Sequence, residues 1–348
     1  MVVLGADLHK RSHTVVVIDE TGRKLAERTV AATSEGHLEL RRWAAQWRDR
    51  RWALEDCRHL SRRLEADLLR AGEAVVRVPP KLMAGARRGG REPGKSDPID
   101  ALAVARAALR EPDLPVATLD GPERELRLLV DHREDLVAER TRHEQRLRWF
   151  LLELGIAEPA PRSLDRAAVR STLAAALAGR AEPVARFARD LLARIADLTH
   201  AISELEAEIR VRVCPLAPAL LALAGCGPLT AAKLIGEAAG IARFHSAAAF
   251  ARHTGTAPVP VWSGNIVRHR LSRGSNRQLN VALHRIAITQ IRLGAEGRAY
   301  RDHRLAEHDT PTEALRALRR RISDQVFRRM RHDEAARAGG ATTLPAAA

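Results

Sequence analysis

Four carboxylates stand where the chain changes direction. Asp7 follows the apolar run Val2-Val3-Leu4-Gly5-Ala6, and Glu55 closes the run Trp52-Ala53-Leu54. Asp97 and Asp100 lie three apart at a helix start, which puts them on one helix face. Gathered from three elements, these acids repel one another unless a cation sits between them. Mg²⁺ takes hard oxygen ligands and uses few protein carboxylates per ion. Two such ions can activate an attacking oxygen and stabilise a leaving one in phosphoryl transfer. Each acid also has a plainer role. Asp97-Pro98-Ile99-Asp100 is a good helix start, with Asp97 as N-cap and Pro98 at N1. Asp7 can simply end a strand.

A second group lies toward the other end. Residues 223–235 read Leu-Ala-Gly-Cys-Gly-Pro-Leu-Thr-Ala-Ala-Lys-Leu-Ile, the pattern of a helix-hairpin-helix. Gly225 and Gly227 permit the tight turn. The start of the second helix, with Thr230 and Lys233, can then offer donors to a phosphate. A plain turn between helices fits the same pattern. Ser263 follows in a loop flanked by Pro258, Pro260 and Gly264, where a nucleophile is exposed. The cations Arg268, His269, Arg270, Arg273 and Arg277 come next. Cations around a serine favour its alkoxide and a phosphate target. A serine in such a loop is also an ordinary turn residue. A further basic cluster, Arg87, Arg88 and Arg91 with Lys95, falls in and beside a Gly- and Arg-rich stretch, residues 84–94. That stretch reads as a mobile basic loop suited to nucleic-acid phosphates.

The elements that must position these groups are legible by period. Residues 2–8, 14–19 and 24–30 are β-rich runs, with a turn signal at Glu20-Thr21-Gly22-Arg23, so they form a meander. A helix capped by Ser34 runs to about residue 48. Strand 52–55, helix 60–70, strand 74–78 and helix 98–109 follow. This is the order of an RNase H-like fold, in which the fourth strand lies beside the first and brings Glu55 toward Asp7. Residues 111–122 read as a Pro/Gly linker. Residues 123–153 and 183–212 read as long amphipathic helices, with a short helix at 164–178 between them. They form either a coiled-coil-like arm or an ordinary helical core. Residues 216–294 form a small helical domain, and the Ala-, Gly- and Thr-rich tail after about 333 is expected to be disordered. The expected class is α/β plus all-α, with domains at 1–110, 111–215, 216–332 and a tail at 333–348.

Composition narrows the partners. The net charge is +15 in 348 residues, with a pI of about 11.1. Such a surface attracts polyanions, nucleic acid first. The basic residues are arginine except for Lys10, Lys24, Lys81, Lys95 and Lys233. Cys57, Cys214 and Cys226 make neither a CxxC pair nor a zinc spacing. Aromatic residues make up only 3%, against a base-stacking platform. No apolar run approaches a membrane span and no signal peptide is evident, so a cytoplasmic protein without a membrane partner is expected.

Together the motifs resemble the DEDD transposases of the insertion-sequence-110 family. Asp7-Leu8-His9-Lys10 with His13 is similar to the family's first-aspartate motif, and Glu55 with helix 60–72 to its second. Lys95-Ser96-Asp97-Pro98-Ile99-Asp100-Ala101 is similar to its paired-aspartate motif. Residues 225–234, 255–258, Ser263-Gly264 and 272–277 follow the order of its second conserved domain. Trp262 and Asn265 depart from residues common around the family's serine.

The resemblance implies a RuvC-like first domain holding Mg²⁺ on Asp7, Glu55, Asp97 and Asp100. It implies a catalytic Ser263 in the second domain that forms a phosphoserine link to DNA. It also implies self-association, as dimer or tetramer. Composite active sites would form through exchanged helical arms of region 111–215. A bridge-type non-coding RNA would choose donor and target DNA. Two rivals remain: a RuvC-like junction-resolving nuclease using the four acids and water, and a non-catalytic nucleic-acid-binding derivative.

Overall fold

The first three β-rich runs pair as a meander: β1 (Val2–Leu8), β2 (Ser12–Ile18) and β3 (Lys24–Ala31). The structure is a computed structural model. It describes residues 1–57, 59–80, 82–83, 96–111, 114, 116–160, 163–263, 266–270, 275–294 and 296–341. It divides into two units, residues 1–120 and 121–348.

In the first unit, β4 (Arg50–Glu55) adds parallel to β1, and β5 (Val75–Val78) adds parallel to β4. The sheet order β3-β2-β1-β4-β5, with only β2 antiparallel to its neighbours, is the expected RNase H-like topology. Strand side chains alternate between faces. Leu4, Ala6, Leu8, Trp52 and Leu54 pack with α1 (Ser34–Ala44) and α2 (Arg62–Arg70) on one face. Val3, Val16 and Ala53 pack with Val104, Ala105 and Ala108 of α3 (Asp97–Arg110) on the other. Burial on both sides explains why β1 is a nearly unbroken apolar run.

In the second unit, α4 (Pro122–Glu153) and α6 (Pro183–Leu216) pack antiparallel. Their pairing is marked by Arg212 to Glu125 at 2.7 Å and Arg133 to Glu206 at 2.5 Å. At the far end, Leu147, Leu151, Leu192 and Ile195 enclose a core with Leu173 and Leu177 of α5 (Ala167–Leu177). At the near end they join a larger core. It draws on α7 (Pro218–Leu221), α8 (Pro228–Ala238), α9 (Ala247–Thr254), α10 (Arg277–Arg292) and α12 (Pro311–Ala341). Helix α11 (Glu296–Ala306) adds Tyr300 at its edge. Among the described residues no helix is long and apolar enough to cross a membrane.

Three expectations need correction. The expected linker 111–122 is fastened at Val116 and Ala117: Ala117 is buried, its N–H donates to the Val75 carbonyl at 2.8 Å, and Val116 bridges to Val76. The C-terminal unit is not purely helical, because β6 (Val259–Ser263) and β7 (Ile266–Arg270) pair as a hairpin. The expected disordered tail is helical as far as Ala341. Long-range hydrogen bonds hold it: the Asp333 carboxylate accepts from the Ala219 and Leu220 N–H groups, and Glu334 accepts from Ile241 N–H.

Candidate active site

Asp7 and Glu55 reach the same end of the sheet because Ala6 and Leu54 are register partners in the parallel β1–β4 pair. Each acid follows its partnered residue by one position. Alternation puts Asp7 on the sheet face shared by Val3 and Gly5, under α3. Gly5 makes the approach of α3 possible. A Cβ there would stand 2.4 Å from the Ala101 carbonyl oxygen and 2.4 Å from the Ala105 nitrogen. The helix therefore lies against the strand backbone, and its first turn, with Asp97 and Asp100, overhangs Asp7.

Asp7, Asp97 and Asp100 lie close together at this end of the sheet. Asp7 is 5% exposed and Asp100 7%. His9 Nε2 stands 3.2 Å from Asp7 Oδ2 and 3.3 Å from Asp97 Oδ1. Ligand atoms of Asp7, His9 and Asp97 all lie within 4.8 Å of one another. Burial raises the Asp7 pKa above the usual carboxylate value. His9 opposes that rise, and the charges of Asp100 and Asp97 add to it. Glu55 belongs to the same neighbourhood. The Cys57 thiol is pushed up to about 11, first by burial and then by the negative charges of Glu55 and Asp7.

The donors are hard oxygens plus one imidazole, and like charges raise the proton affinity of the buried one. This is the chemistry of a site that suits a divalent cation. Asp97 is not the helix cap: Ser96 has the extended cap conformation, and Asp97 is the first helical residue. His9 and Cys57 were not among the expected site residues. His9 stands in the Asp7-Leu8-His9-Lys10 motif but was not assigned to the site. Cys57 had no signal, because its place beside Asp7 depends on the β1–β4 pairing.

The second group falls only partly within the described residues. Ser263 is the last residue of β6 and pairs with Ile266, so it closes a strand and does not sit in the open loop expected. Arg268 and Arg270 lie on β7, and Arg277 is exposed at the start of α10. Gly227 caps α8, Gly225 has φ of +83°, and Thr230 lies in the first turn of α8. Lys233 is placed differently from expectation. It is buried on the face toward α4, with its ammonium 2.8 Å from Glu134 and 3.3 Å from Asp131. Arg87, Arg88, Arg91, Lys95 and Arg273 lie outside the described residues.

An RNase H-like sheet with acids converging at the end of its first strand defines the class of the N-terminal unit. Residues 4–156 match the IS110-type DEDD transposase profile, described as transposase, and residues 217–302 match the transposase profile of the IS116/IS110/IS902 family. The chain belongs to this family of insertion-element transposases. It is 28% identical over 383 residues to the insertion element IS116 uncharacterized 44.8 kDa protein of Streptomyces clavuligerus, covering 94% of each chain. It is 28% identical over 378 residues to the insertion element IS900 uncharacterized 42 kDa protein of Mycobacterium paratuberculosis, covering 94% of this chain and 95% of that one. Among solved structures it is similar to the RuvC of Thermus thermophilus, at 18% identity and a TM-score of 0.27, over 34% of this chain and 100% of that one.

Proposed function

We propose that this chain is a DNA transposase that cuts and rejoins DNA, with Mg²⁺ on the acids and Ser263 as the nucleophile. The observation that carries this reading is the convergence of Asp7, Asp97 and Asp100 at one sheet end, with Glu55 brought alongside by register. Asp7, Glu55, Asp97 and Asp100 would hold the cation, which when bound neutralises phosphate charge and stabilises the leaving oxygen. In the cutting step the bond from Ser263 Oγ to phosphorus forms and the bond from phosphorus to a sugar oxygen breaks. The hydroxyl proton leaves Ser263, and the departing sugar oxygen ends protonated. Rejoining is the reverse, with a different sugar hydroxyl displacing the serine. A bound bridge-type RNA would supply site choice by base pairing, since phosphate contacts carry no sequence information.

The test is a denaturing gel of protein mixed with Mg²⁺ and DNA spanning the element's ends. A protein–DNA adduct is expected with the natural chain. Ser263→Ala should lose it while nucleic-acid binding holds within about twofold, because one hydroxyl adds little beside many phosphate contacts. An adduct that persists in Ser263→Ala would move the nucleophile to another residue. One observation favours a second reading: all four acids belong to the first unit, which does not contain Ser263. A junction-resolving nuclease would need only those acids and water. It predicts cleavage without any adduct, and full cleavage by Ser263→Ala.

A further inference from the structure

The second unit contains a basic cleft that the acids and the serine do not account for. Its volume is about 1110 Å³. One wall is residues 255–258, which lead from α9 into β6. The other is formed by α11, the turn after it, and α12. Arg304, Arg316, Arg319, Arg320, Arg321 and Arg328 line it, against the acids Asp309, Glu313 and Asp324. Most of this wall lies beyond residue 302, where the second family match ends.

The arginines differ in how they are held. Arg304 is held by Asp309 at 2.7 Å, Arg320 by Asp324, and Arg321 by Glu296 at 2.5 Å. Among the described residues Arg319 and Arg328 lie in no salt bridge, and Arg316 has the charge of Glu313, three residues before it, acting on it. Arg319 is half-buried, and its Nε faces no acceptor. Burial, and then the charge of Arg316, pull the Arg319 guanidinium below its ordinary pKa. The lining sets six arginines against three acids, so an anion there would relieve the repulsion between Arg316 and Arg319. Arg316, Arg320 and Arg328 recur at multiples of four on one face of α12. At about 1.5 Å per residue the row from Arg316 to Arg328 is roughly 18 Å long. That suits an extended polyanion better than a small ligand.

The cleft is also tied to the strand bearing Ser263. Arg319 donates to Asn280 Oδ1, and Asn280 Nδ2 donates to the Thr254 carbonyl at 2.9 Å. Thr254 ends α9, and Gly255 turns the chain with φ of +72°. A Cβ at Gly255 would stand 2.3 Å from Ser275 Oγ, so the turn is packed. From Pro258 at the cleft to Ser263 is roughly 17 Å of strand at about 3.3 Å per residue. A duplex strand advances about 3.4 Å per nucleotide, so this distance corresponds to roughly five nucleotides.

We propose that the α11–α12 cleft binds the phosphodiester backbone of a nucleic-acid strand, through Arg316, Arg319 and Arg328, a few nucleotides from the phosphate at Ser263. The position relative to Ser263 rests on the function proposed above, whereas the binding does not. DNA and RNA share this backbone chemistry, so both are probes. The experiment measures fluorescence anisotropy of labelled single-stranded DNA and RNA, each about 20 nucleotides long, with the full-length, RNase-treated protein between about 50 and 200 mM salt. Arg316→Ala/Arg328→Ala is compared with Arg194→Ala/Arg210→Ala, which removes two exposed arginines from α6. The cleft variant should weaken binding of at least one probe about tenfold at about 100 mM salt. Its salt slope should fall by about 1.4, at about 0.7 for each single-strand phosphate no longer neutralised. The α6 variant should change both far less. Weaker DNA binding assigns the cleft to the DNA strand, and weaker RNA binding alone assigns it to a guide. Equal effects of the two variants, or no effect of either, would overturn the proposal. Photo-crosslinking of the natural chain to iodouracil-substituted strands is independent of any variant's folding. Crosslinks within residues 304–328 support the proposal, and crosslinks confined elsewhere refute it. The assay reads binding without any cleavage step, so failure of the serine reading leaves this result standing.

Discussion

At Asp97 a metal-binding role and a helix-end role predict different outcomes. Ser96 holds the cap position, so Asp97→Asn removes a charge from the first turn and leaves the cap in place. Removing that favourable dipole interaction costs about 0.3–1 kcal/mol. Under the proposed metal-binding role, single-turnover cleavage should nevertheless fall at least about 100-fold, because several kcal/mol of transition-state stabilisation would depend on the cation. Full activity in that variant would return Asp97 to a helix-end role. His13 offers a second test, at the opposite face of the sheet. It is 2% exposed and its ring stacks on His37 at 5.3 Å. Burial, with the nearby charge of His37, lowers its pKa from 6.5 to about 4. The folded protein thus refuses a proton that the unfolded chain accepts below pH 6.5. Stability from this group is complete above pH 6.5, falls as the pH drops toward about 4, and levels off below that. The total is about 3 kcal/mol. Urea midpoints at about pH 7 and pH 5 should therefore converge in His13→Gln relative to the natural chain, and parallel decreases in both would clear His13. The acids were legible because residue type and spacing announce them. The neighbours His9 and Cys57 were not assigned: His9 reaches Asp97 only because α3 packs on β1, and Cys57 feels the charge of Asp7 only because β4 pairs with β1.

Helix α3 and strand β1 meet through the absence of a side chain. Gly5→Ala would drive a methyl into the Ala101 and Ala105 backbone, which a flexible side chain cannot relieve. Overpacking of this kind costs about 1–3 kcal/mol. The thermal midpoint should drop by several degrees. Cleavage should fall more than the folded fraction does, because the shifted helix carries Asp97 and Asp100. Activity that merely tracks the folded fraction would mean that α3 is not positioned by this contact. Strand and helix periods made the first unit readable almost element by element. The misreadings came where local composition and tertiary context disagree. Residues 111–120 carry the Pro content of a linker, yet Ala117 is fastened to the β5 edge. The hairpin around Ser263 is interrupted by Pro260, which reads as a breaker, although Pro260 pairs with His269 on a two-stranded ribbon. The tail is rich in Ala and Gly, and its helix is fixed by Asp333 and Glu334 reaching residues about a hundred positions away. No local window contains those partners.

On the function proposed above, the chemistry is divided between the two units: the acids lie in residues 1–120 and the serine in 121–348. Such a division allows two arrangements, one in which each chain serves itself and one in which acids and serine come from different copies. Mixing two inactive variants separates them. Asp7→Ala lacks one of the proposed metal-binding acids, and Ser263→Ala lacks the proposed nucleophile. In a mixed two-fold dimer with shared sites, one site carries both defects and the other carries neither. Random assortment of equal amounts makes half the dimers mixed, so about a quarter of all sites become functional. Adducts should therefore appear in the mixture, at roughly a quarter of the natural level, although each variant alone forms none. Denatured and separated, the adduct should reside on the Asp7→Ala chain, which can be told apart by a size tag. If each chain used its own acids and serine, the mixture would stay inactive at every ratio. The readout depends on exchange between copies, so the variants are co-expressed before purification, and co-purification of the tagged and untagged chains verifies that mixed assemblies formed.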